Sequence, residues 1–138
     1  MKKIVFQNEP IDISQNIHEV MTESNDSVVS FVGRIQNKSS DKPVLHVEYQ
    51  AYCEMARKEL NKAIDNATEK WRLKNCLIIH RFGSIQIGET SIVVAVSSPD
   101  HSEAFLAAQY LIDIVKRKVP IWKKEFYSDG SSWTNEKQ

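Results

Sequence analysis

The stretch from residue 54 to residue 71 has the most regular apolar pattern of the chain. Its apolar side chains recur at intervals that fit a helical period: Ala56, Leu60, Ala63, Ile64, Ala67 and Trp71. This spacing places them along one face of an α-helix. A helix with a single apolar face has to bury that face against another layer of structure. The pattern therefore predicts a helix over 54–71 that packs on a sheet or on another helix.

Six segments have the composition of β-strands. They are rich in the β-branched, aromatic and other apolar residues that strands favour, and they span 2–6, 27–36, 44–50, 76–82, 90–97 and 122–127. The polar residues 37–43 predict a loop. Within 44–50, alternation predicts that Leu45, Val47 and Tyr49 share one face. After the last strand we expect an Asp129-Gly130 turn and a polar tail.

A shorter helix is predicted near the N-terminus. Ser14 has a side chain that can cap a helix, and the helix is expected to run to about Glu23. Its apolar face would comprise Ile13, Ile17, Val20 and Met21.

A second long helix is predicted to open at Ser98-Pro99-Asp100. Proline suits the first turn of a helix, and Asp100 with Glu103 resembles a capping box. The helix has to end near Lys118, because Pro120 disfavours helical geometry in the preceding residue and has no backbone N–H.

The order of these elements favours the α+β class. Strands that are neighbours in sequence, 44–50 after 27–36 and 90–97 after 76–82, are expected to pair in an antiparallel manner, unlike those of a doubly wound parallel sheet. The sequence has no G-x-G-x-x-G or P-loop motif of a nucleotide-binding fold. A length of 138 residues predicts a single domain over 1–138, large enough to bury a core without metal or disulfide staples.

Charge and hydropathy exclude several function classes. The 18 Lys and Arg residues balance 18 Asp and Glu residues, so the chain lacks the basic footprint of a general nucleic-acid binder. No apolar run approaches the roughly 20 residues that a membrane span needs. The apolar stretch Ile4–Phe6 is too short for a signal peptide.

The cysteines and histidines suggest neither a metal nor a disulfide. Cys53 and Cys76 form no C-x-x-C motif, and two reduced thiols of a cytoplasmic protein are favoured over a disulfide. The four histidines show no metal-ligand spacing. We therefore expect no metal site and no cofactor.

The segment 116–124 is unusual because it holds five positive charges in nine residues of an otherwise balanced chain. One explanation is structural, since basic residues in the last turn of a helix offset its negative end by about 0.3–1 kcal/mol each. We favour that explanation for Arg117, Lys118 and Lys124.

Lys116 and Lys123 have a second interpretation. Lys116 follows Phe105 and Ile112 at helical spacing, so the pattern predicts that it lies on the apolar stripe of its helix. An ammonium group there either extends outward to solvent or projects into a partly desolvated pocket. Lys123, after the Pro-Ile-Trp turn, could return toward the same pocket. Two such ammonium groups would suit an anionic substrate.

Five segments of the chain resemble one known family. They are FVGRIQN (31–37), VEYQAYCEMA (47–56), HRFGSIQIGE (80–89), VAVSSP (94–99) and KRKVPIWKKEFYSDGSSW (116–133). In this order they are similar to the MoaE family, the large, catalytic subunits of molybdopterin synthase. The resemblance implies an α/β-hammerhead fold with additional antiparallel strands, assembled as a homodimer.

The resemblance also implies a partner and a reaction. A small ubiquitin-like (MoaD-like) sulfur-carrier subunit would insert its C-terminal Gly-Gly tail, which carries a thiocarboxylate, into a pocket of the large subunit. Its sulfur would pass to cyclic pyranopterin monophosphate, and two transfers would create the dithiolene of molybdopterin. The alternative is a diverged, non-catalytic module that still binds a ubiquitin-like partner.

Site residues follow from the same resemblance. Lys116 matches the essential lysine of the family and Lys123 its second pocket lysine. The substrate-binding segments match at Arg34, Ile35, Gln36, Lys124 and Glu125.

Asp100, His101 and Gln36 depart from the family pattern, and Lys137 matches a position in the family's C-terminal tail. Asp100-His101 stands where the family usually has His-Arg, and Gln36 stands where it has an arginine. An aspartate would repel a phosphate, whereas His101 could turn toward it. Lys137 aligns with a tail arginine that family members contribute to the neighbouring pocket.

Overall fold

The computed structural model describes residues 1–21, 27–39 and 42–133. This part of the chain contains three helices, α1 (Ile13–Val20), α2 (Cys53–Trp71) and α3 (His101–Arg117). Its nine strands are β1 (Lys2–Gln7), β2 (Ser27–Arg34), β3 (Lys38–Ser39), β4 (Lys42–Ala51), β5 (Asn75–Arg81), β6 (Gly83–Gln86), β7 (Thr90–Ser98), β8 (Ile121–Tyr127) and β9 (Gly130–Trp133).

The first sheet has the strand order β1-β5-β7-β2. β1 runs parallel to β5, and the other neighbours are antiparallel. α2 and α3 pack against each other and against this sheet, because the apolar stripe of α2 faces it: Ala56, Leu60, Ala63, Ile64 and Ala67 are all buried. On the opposite face, Val20 of α1 packs with Leu77 and Ala95.

The second sheet has the order β3-β4-β8-β9, and β6 also pairs with β4. The pairing of β7 with β5 confirms one predicted neighbour, but the expected pairing of 44–50 with 27–36 is wrong. β2 pairs with β7 along its whole length, and β4 pairs with β8 instead. One apolar cluster draws on both sheets. The α+β class is confirmed.

Three short strands lie where a loop, a connection and a tail were expected. Lys38 pairs with Pro43, so the predicted loop 37–43 contains a narrow hairpin. The connection after β5 contains β6, and the segment after the Asp129-Gly130 turn returns along β8 as β9. Strands of two to four residues have too little sequence for an alternating pattern to be recognised.

The N-terminal helix differs from the prediction at its start. Asp12, and not Ser14, is the N-cap, since its Oδ1 accepts a hydrogen bond of 3.0 Å from the Gln15 backbone N–H. The helix ends at Val20, Met21 is 51% exposed, and the predicted end at Glu23 lies outside the described residues.

Leu45 was expected to share a face of β4 with Val47 and Tyr49, but it is 53% exposed whereas both of these are buried. The pairing register of β4 with β8 shifts between Val44 and His46. This irregularity turns Leu45 outward and places Val44 in the core.

Candidate functional site

Lys116 lies in the last turn of α3, which follows β7 directly and packs back along β7 and β2. Its ammonium nitrogen lies 5.9 Å from the ring centroid of Phe31 on β2, within the range of a cation–π contact. Lys116 is exposed and Phe105 is 62% exposed, so these two residues of the expected apolar stripe do not lie on the buried side of α3, and of the two alternatives for the Lys116 ammonium group the outward one fits this exposure. The buried side of α3 is formed by Ala104, Ala107, Ala108, Leu111 and Val115.

Lys123 is half-buried on β8, directly opposite Tyr49 of β4. Side chains that are opposite each other in an antiparallel pair lie on the same face of the sheet. Lys123 therefore shares the inner face with Ile121 and Glu125, both of which are buried. Its ammonium group is held at the edge of the core.

Lys124 and Glu125 lie on opposite faces of β8. Lys124 lies opposite Glu48 in the pairing of β8 with β4, and its ammonium nitrogen lies 5.2 Å from the ring centroid of Phe126. The Glu125 carboxylate is buried on the inner face and accepts a 3.0 Å hydrogen bond from the Tyr127 hydroxyl. Lys124 thus lies on the other face of the sheet from Lys123.

Tyr49 connects the two sheets at this site. Its ring contacts His80 of β5, in the first sheet, edge-on at 4.9 Å. Burial raises the pKa of Tyr49 to about 12, the polar side chain of Ser91 opposes that shift and the nearby Glu125 charge adds to it. The hydroxyl consequently keeps its proton at neutral pH.

Arg34 and Gln36 lie at the end of β2, on the side of the fold where α3 ends. The Arg34 Nε donates a 2.9 Å hydrogen bond to the Gly88 carbonyl, and Gln36 is exposed. Ile35 is buried in the core, with its backbone bonded to Gly88 and Glu89. Of these three side chains, Arg34 and Gln36 are available to a ligand and Ile35 is structural.

Asp100 and His101 lie at the opposite end of α3 from Lys116. At a rise of 1.5 Å per residue, the helix separates His101 from Lys116 by about 22 Å. Asp100 is the N-cap, and its Oδ1 accepts hydrogen bonds from the backbone N–H groups of Ser102 (2.7 Å) and Glu103 (3.4 Å). Within one chain, Asp100 and His101 are therefore not part of the site around Lys116.

Lys137 lies outside the described residues. Among residues 1–21, 27–39 and 42–133, no group of three or more His, Cys, Asp or Glu side chains is arranged to hold a metal ion. No helix in this part of the chain has the length and apolar character needed to cross a membrane.

The sequence predicted only that Tyr49 shares a face with Leu45 and Val47 and gave it no role, and it did not single out Ser91. A buried tyrosine usually needs a hydrogen-bond partner for its hydroxyl, which is a signal that a polar group lies opposite. The proximity of Ser91 could not be read from the sequence, because Ser91 is 42 positions away and in the other sheet.

These features define an α+β protein with two sheets, in which Lys116 contacts Phe31 of the first sheet and Lys123 lies on β8 of the second. A family model described as "MoaE protein" matches residues 6–118. The chain therefore belongs to the MoaE protein family.

Individual relatives agree with this assignment. The chain is 38% identical over 133 residues to a molybdopterin synthase catalytic subunit of Staphylococcus aureus (strain COL), covering 96% of this chain and 90% of the relative. A crystal structure of molybdopterin synthase from S. aureus superimposes with a TM-score of 0.87 over 96% of this chain and 95% of that chain, also at 38% identity.

A more distant structure has the same fold. It is a protein–protein complex of subunits 1 and 2 of the molybdopterin-converting factor from Helicobacter pylori, matched with a TM-score of 0.78 at 17% identity, covering 97% of this chain and 90% of that chain.

Proposed function

We propose that this protein is the catalytic subunit of a molybdopterin synthase and acts as a sulfurtransferase in the biosynthesis of the molybdenum cofactor. The observation that carries the proposal is that the Lys116 ammonium group lies 5.9 Å from the ring centroid of Phe31 on β2, in a chain that matches the MoaE family over residues 6–118. Full-length similarity to molybdopterin synthase catalytic subunits supports it.

The reaction joins two anionic reactants. The thiocarboxylate sulfur of the carrier forms a bond to a carbon of cyclic pyranopterin monophosphate, and a C–O bond of that same carbon breaks, so that its oxygen leaves. Water then adds to the carrier's thioester carbonyl and the bond between that carbonyl carbon and the sulfur breaks, which leaves the sulfur on the pterin as a thiol and releases the carrier as a carboxylate. Lys116 stabilises the developing negative charge and moves protons, and Lys123 orients the substrate or the inserted tail. At an effective dielectric constant of 20, one lysine–anion contact at 4 Å has a Coulomb energy of about 4 kcal/mol before desolvation.

The proposed partner is a small ubiquitin-like carrier whose Gly-Gly tail enters the site. Because a tail held in a cleft keeps its sulfur oriented and away from water, insertion itself lowers the barrier to transfer. A two-subunit assembly of the related H. pylori protein supports this partner. We place the protein in the cytoplasm, where an exposed thiol such as that of Cys53 stays reduced.

In a homodimer, we propose, Asp100 and His101 contribute to the pocket of the neighbouring subunit. They lie about 22 Å from Lys116 along their own helix, so they reach such a pocket only from a neighbouring subunit. We propose the same for Lys137. Arg34, Gln36, Lys124 and Glu125 belong to the substrate-binding region of their own chain.

The test is a reconstitution with thiocarboxylated carrier and cyclic pyranopterin monophosphate, followed by detection of the dithiolene product. Lys116→Ala is expected to lower the rate of product formation by at least about 100-fold, the typical cost of losing one electrostatic stabiliser. Carrier binding, measured by calorimetry, should be almost unchanged.

Lys118→Ala is the matched control, because it removes an exposed ammonium group from the C-cap of the same helix. It should retain most of the activity. If the unsubstituted protein binds the carrier but makes no product, it is the non-catalytic binding module. The negative charge of Asp100 favours that alternative. Turnover that survives in Lys116→Ala would refute the role of Lys116.

A further inference from the structure

Arg81 is a buried, charged residue at the end of β5. It is 8% exposed, and its Nε donates a hydrogen bond of 2.9 Å to the carbonyl of Asn8, directly after β1. Its Nη1 atom is buried without a hydrogen-bond partner in the described part of the chain, and it lies 3.3 Å from the Oε2 atom of Glu89. Because a buried charge is costly unless it is paired, the Glu89 carboxylate is the group that offsets the charge of Arg81.

Glu89 connects this ion pair to the β6–β7 turn, residues 87–89. Its Oε1 atom accepts a 2.8 Å hydrogen bond from the Gln86 backbone N–H, and its own N–H donates to the Gln86 carbonyl at 3.1 Å. The Gln86 N–H, with a further contribution from the Arg81 guanidinium, holds the pKa of the Glu89 carboxyl below its ordinary value, although desolvation opposes this shift. The carboxylate is therefore charged at neutral pH and joins the turn to β5.

The β6–β7 turn holds the end of β2 in place through three hydrogen bonds. The Gly88 N–H donates to the Ile35 carbonyl at 3.0 Å, and the Ile35 N–H donates to the Glu89 carbonyl at 3.0 Å. The third bond runs from the Arg34 Nε to the Gly88 carbonyl, at 2.9 Å. This bond uses one of the five N–H donors of a guanidinium group, and Arg34 is exposed, so an anion can still approach its Nη atoms.

We propose that Arg81 and Glu89 are positioning residues for the binding of anionic substrate at Arg34: their ion pair fixes the β6–β7 turn, and the turn holds the Arg34 guanidinium in its binding position. Both residues act through the turn and not by contact with substrate. The inference rests on the proposed function for the substrate, but not for the support of Arg34 by the turn. Since Arg34 binds the substrate and its transition state alike, loss of the ion pair should raise KM and leave kcat nearly unchanged.

The test compares Glu89→Gln, Arg81→Met and the double variant in the reconstituted reaction. Glu89→Gln keeps an acceptor for the Gln86 N–H but removes the charge, and Arg81→Met replaces the buried charge with an apolar side chain. We expect KM for cyclic pyranopterin monophosphate to rise about 10-fold in each single variant, with kcat changed less than about 2-fold, as the loss of one charged hydrogen bond in binding predicts. The double variant should be no worse than the weaker single variant, since both changes break one ion pair.

A second readout does not depend on turnover. Hydrogen exchange of the Arg34 Nε–H, followed by ¹⁵N NMR, should become at least about 5-fold faster in both single variants, because its bond to the turn opens more often. The Nε–H of Arg72, which donates to Glu103 at 3.1 Å, is the internal reference and should not change. Asp65→Asn is the matched control, because it removes a carboxylate from another ion pair, with Lys2 at 2.9 Å. It should change neither KM nor the exchange of the Arg34 Nε–H.

Unchanged exchange at Arg34 in both single variants would overturn the inference, as would an increase in KM no larger than that of Asp65→Asn. If Arg34→Ala keeps the KM of the unsubstituted protein, the inference is also wrong, since Arg34 then binds no substrate. If the unsubstituted protein makes no product, the proposed function fails, and the exchange measurement alone still decides whether the ion pair supports Arg34.

Discussion

The central strand of the first sheet and the lysine-bearing strand of the second sheet are built differently. β7 is buried at every position after Thr90. β8 buries only Ile121 and Glu125 and leaves its other five side chains partly accessible. The first sheet has helices on both faces, whereas β8 lies in a sheet with one face toward the core and one toward solvent.

The difference shows how stability and chemistry are divided between the two regions. A strand that is covered on both faces can hold few charges, because a buried charge is costly unless it is paired. A half-covered strand can place Lys123 at the edge of the core and Lys124 on the outside. We therefore expect substitutions in the first sheet to change folding stability, and substitutions on β8 to change activity.

The largest expected effect on stability is that of Leu77→Ala in β5. Leu77 is fully buried between α1 and the first sheet, and loss of its side chain leaves a cavity. The free energy of unfolding should fall by about 3 kcal/mol. Urea denaturation followed by circular dichroism measures it.

Leu45→Ala in the second sheet is the matched control, because Leu45 is 53% exposed. It should change the free energy of unfolding by less than about 0.5 kcal/mol. Equal losses in both variants would contradict the proposed division between the two regions.

The next effect concerns the pH dependence of stability and depends on His80. Burial lowers the pKa of His80 to about 4, and its hydrogen bond to the Arg81 carbonyl opposes that shift only in part. The unfolded chain binds a proton near pH 6.5, whereas the folded chain does so only near pH 4. Stability is therefore full above pH 6.5 and falls, by up to about 3 kcal/mol, as the pH drops to 4.

His80→Asn tests this expectation, because an amide can keep the donor toward the Arg81 carbonyl but does not titrate. Urea midpoints measured between pH 7 and pH 4 should decline less steeply in this variant. His18→Gln, a change at an exposed histidine of α1, serves as the control. An unchanged slope in His80→Asn would show that other groups cause the acid sensitivity.

The long elements could be predicted because their signal is local. The stripe of α2 repeats over about four turns, and the residues it selects are buried as expected, with Trp71 partly buried at its end. The end of α3 at Arg117 could be predicted from Pro120, because a proline disfavours helical geometry in the residue directly before it.

The strand partners could not be predicted in the same way. Pairing of β2 with β7 and of β4 with β8 joins residues that are 56 or more positions apart, and alternation within one strand does not identify its partner. The β3, β6 and β9 strands were missed because two to four residues carry no periodic pattern.

The candidate site could likewise be predicted from the sequence only in part. Lys116 and Lys123 stood out because a charge cluster is visible in the sequence, but the exposure of Lys116 depends on how α3 rotates against the sheet. Tyr49 and Ser91 could not be linked from the sequence, since their proximity depends on a bulge in β7 and on the docking of the two sheets.

The smallest expected effect on stability is that of substitutions at Asp100, the N-cap of α3. Asp100→Ala removes the cap of two backbone N–H groups and should lower the free energy of unfolding by about 1 kcal/mol. Asp100→Asn keeps a capping oxygen and loses only the favourable charge at the helix start, so its cost should be a few tenths of a kcal/mol.

If Asp100 also faces the pocket of a neighbouring subunit, Asp100→Asn should lower KM for the anionic pterin, because the repulsion is removed. A higher KM in Asp100→Asn would show that the carboxylate assists substrate binding and would contradict the repulsion expected from its charge.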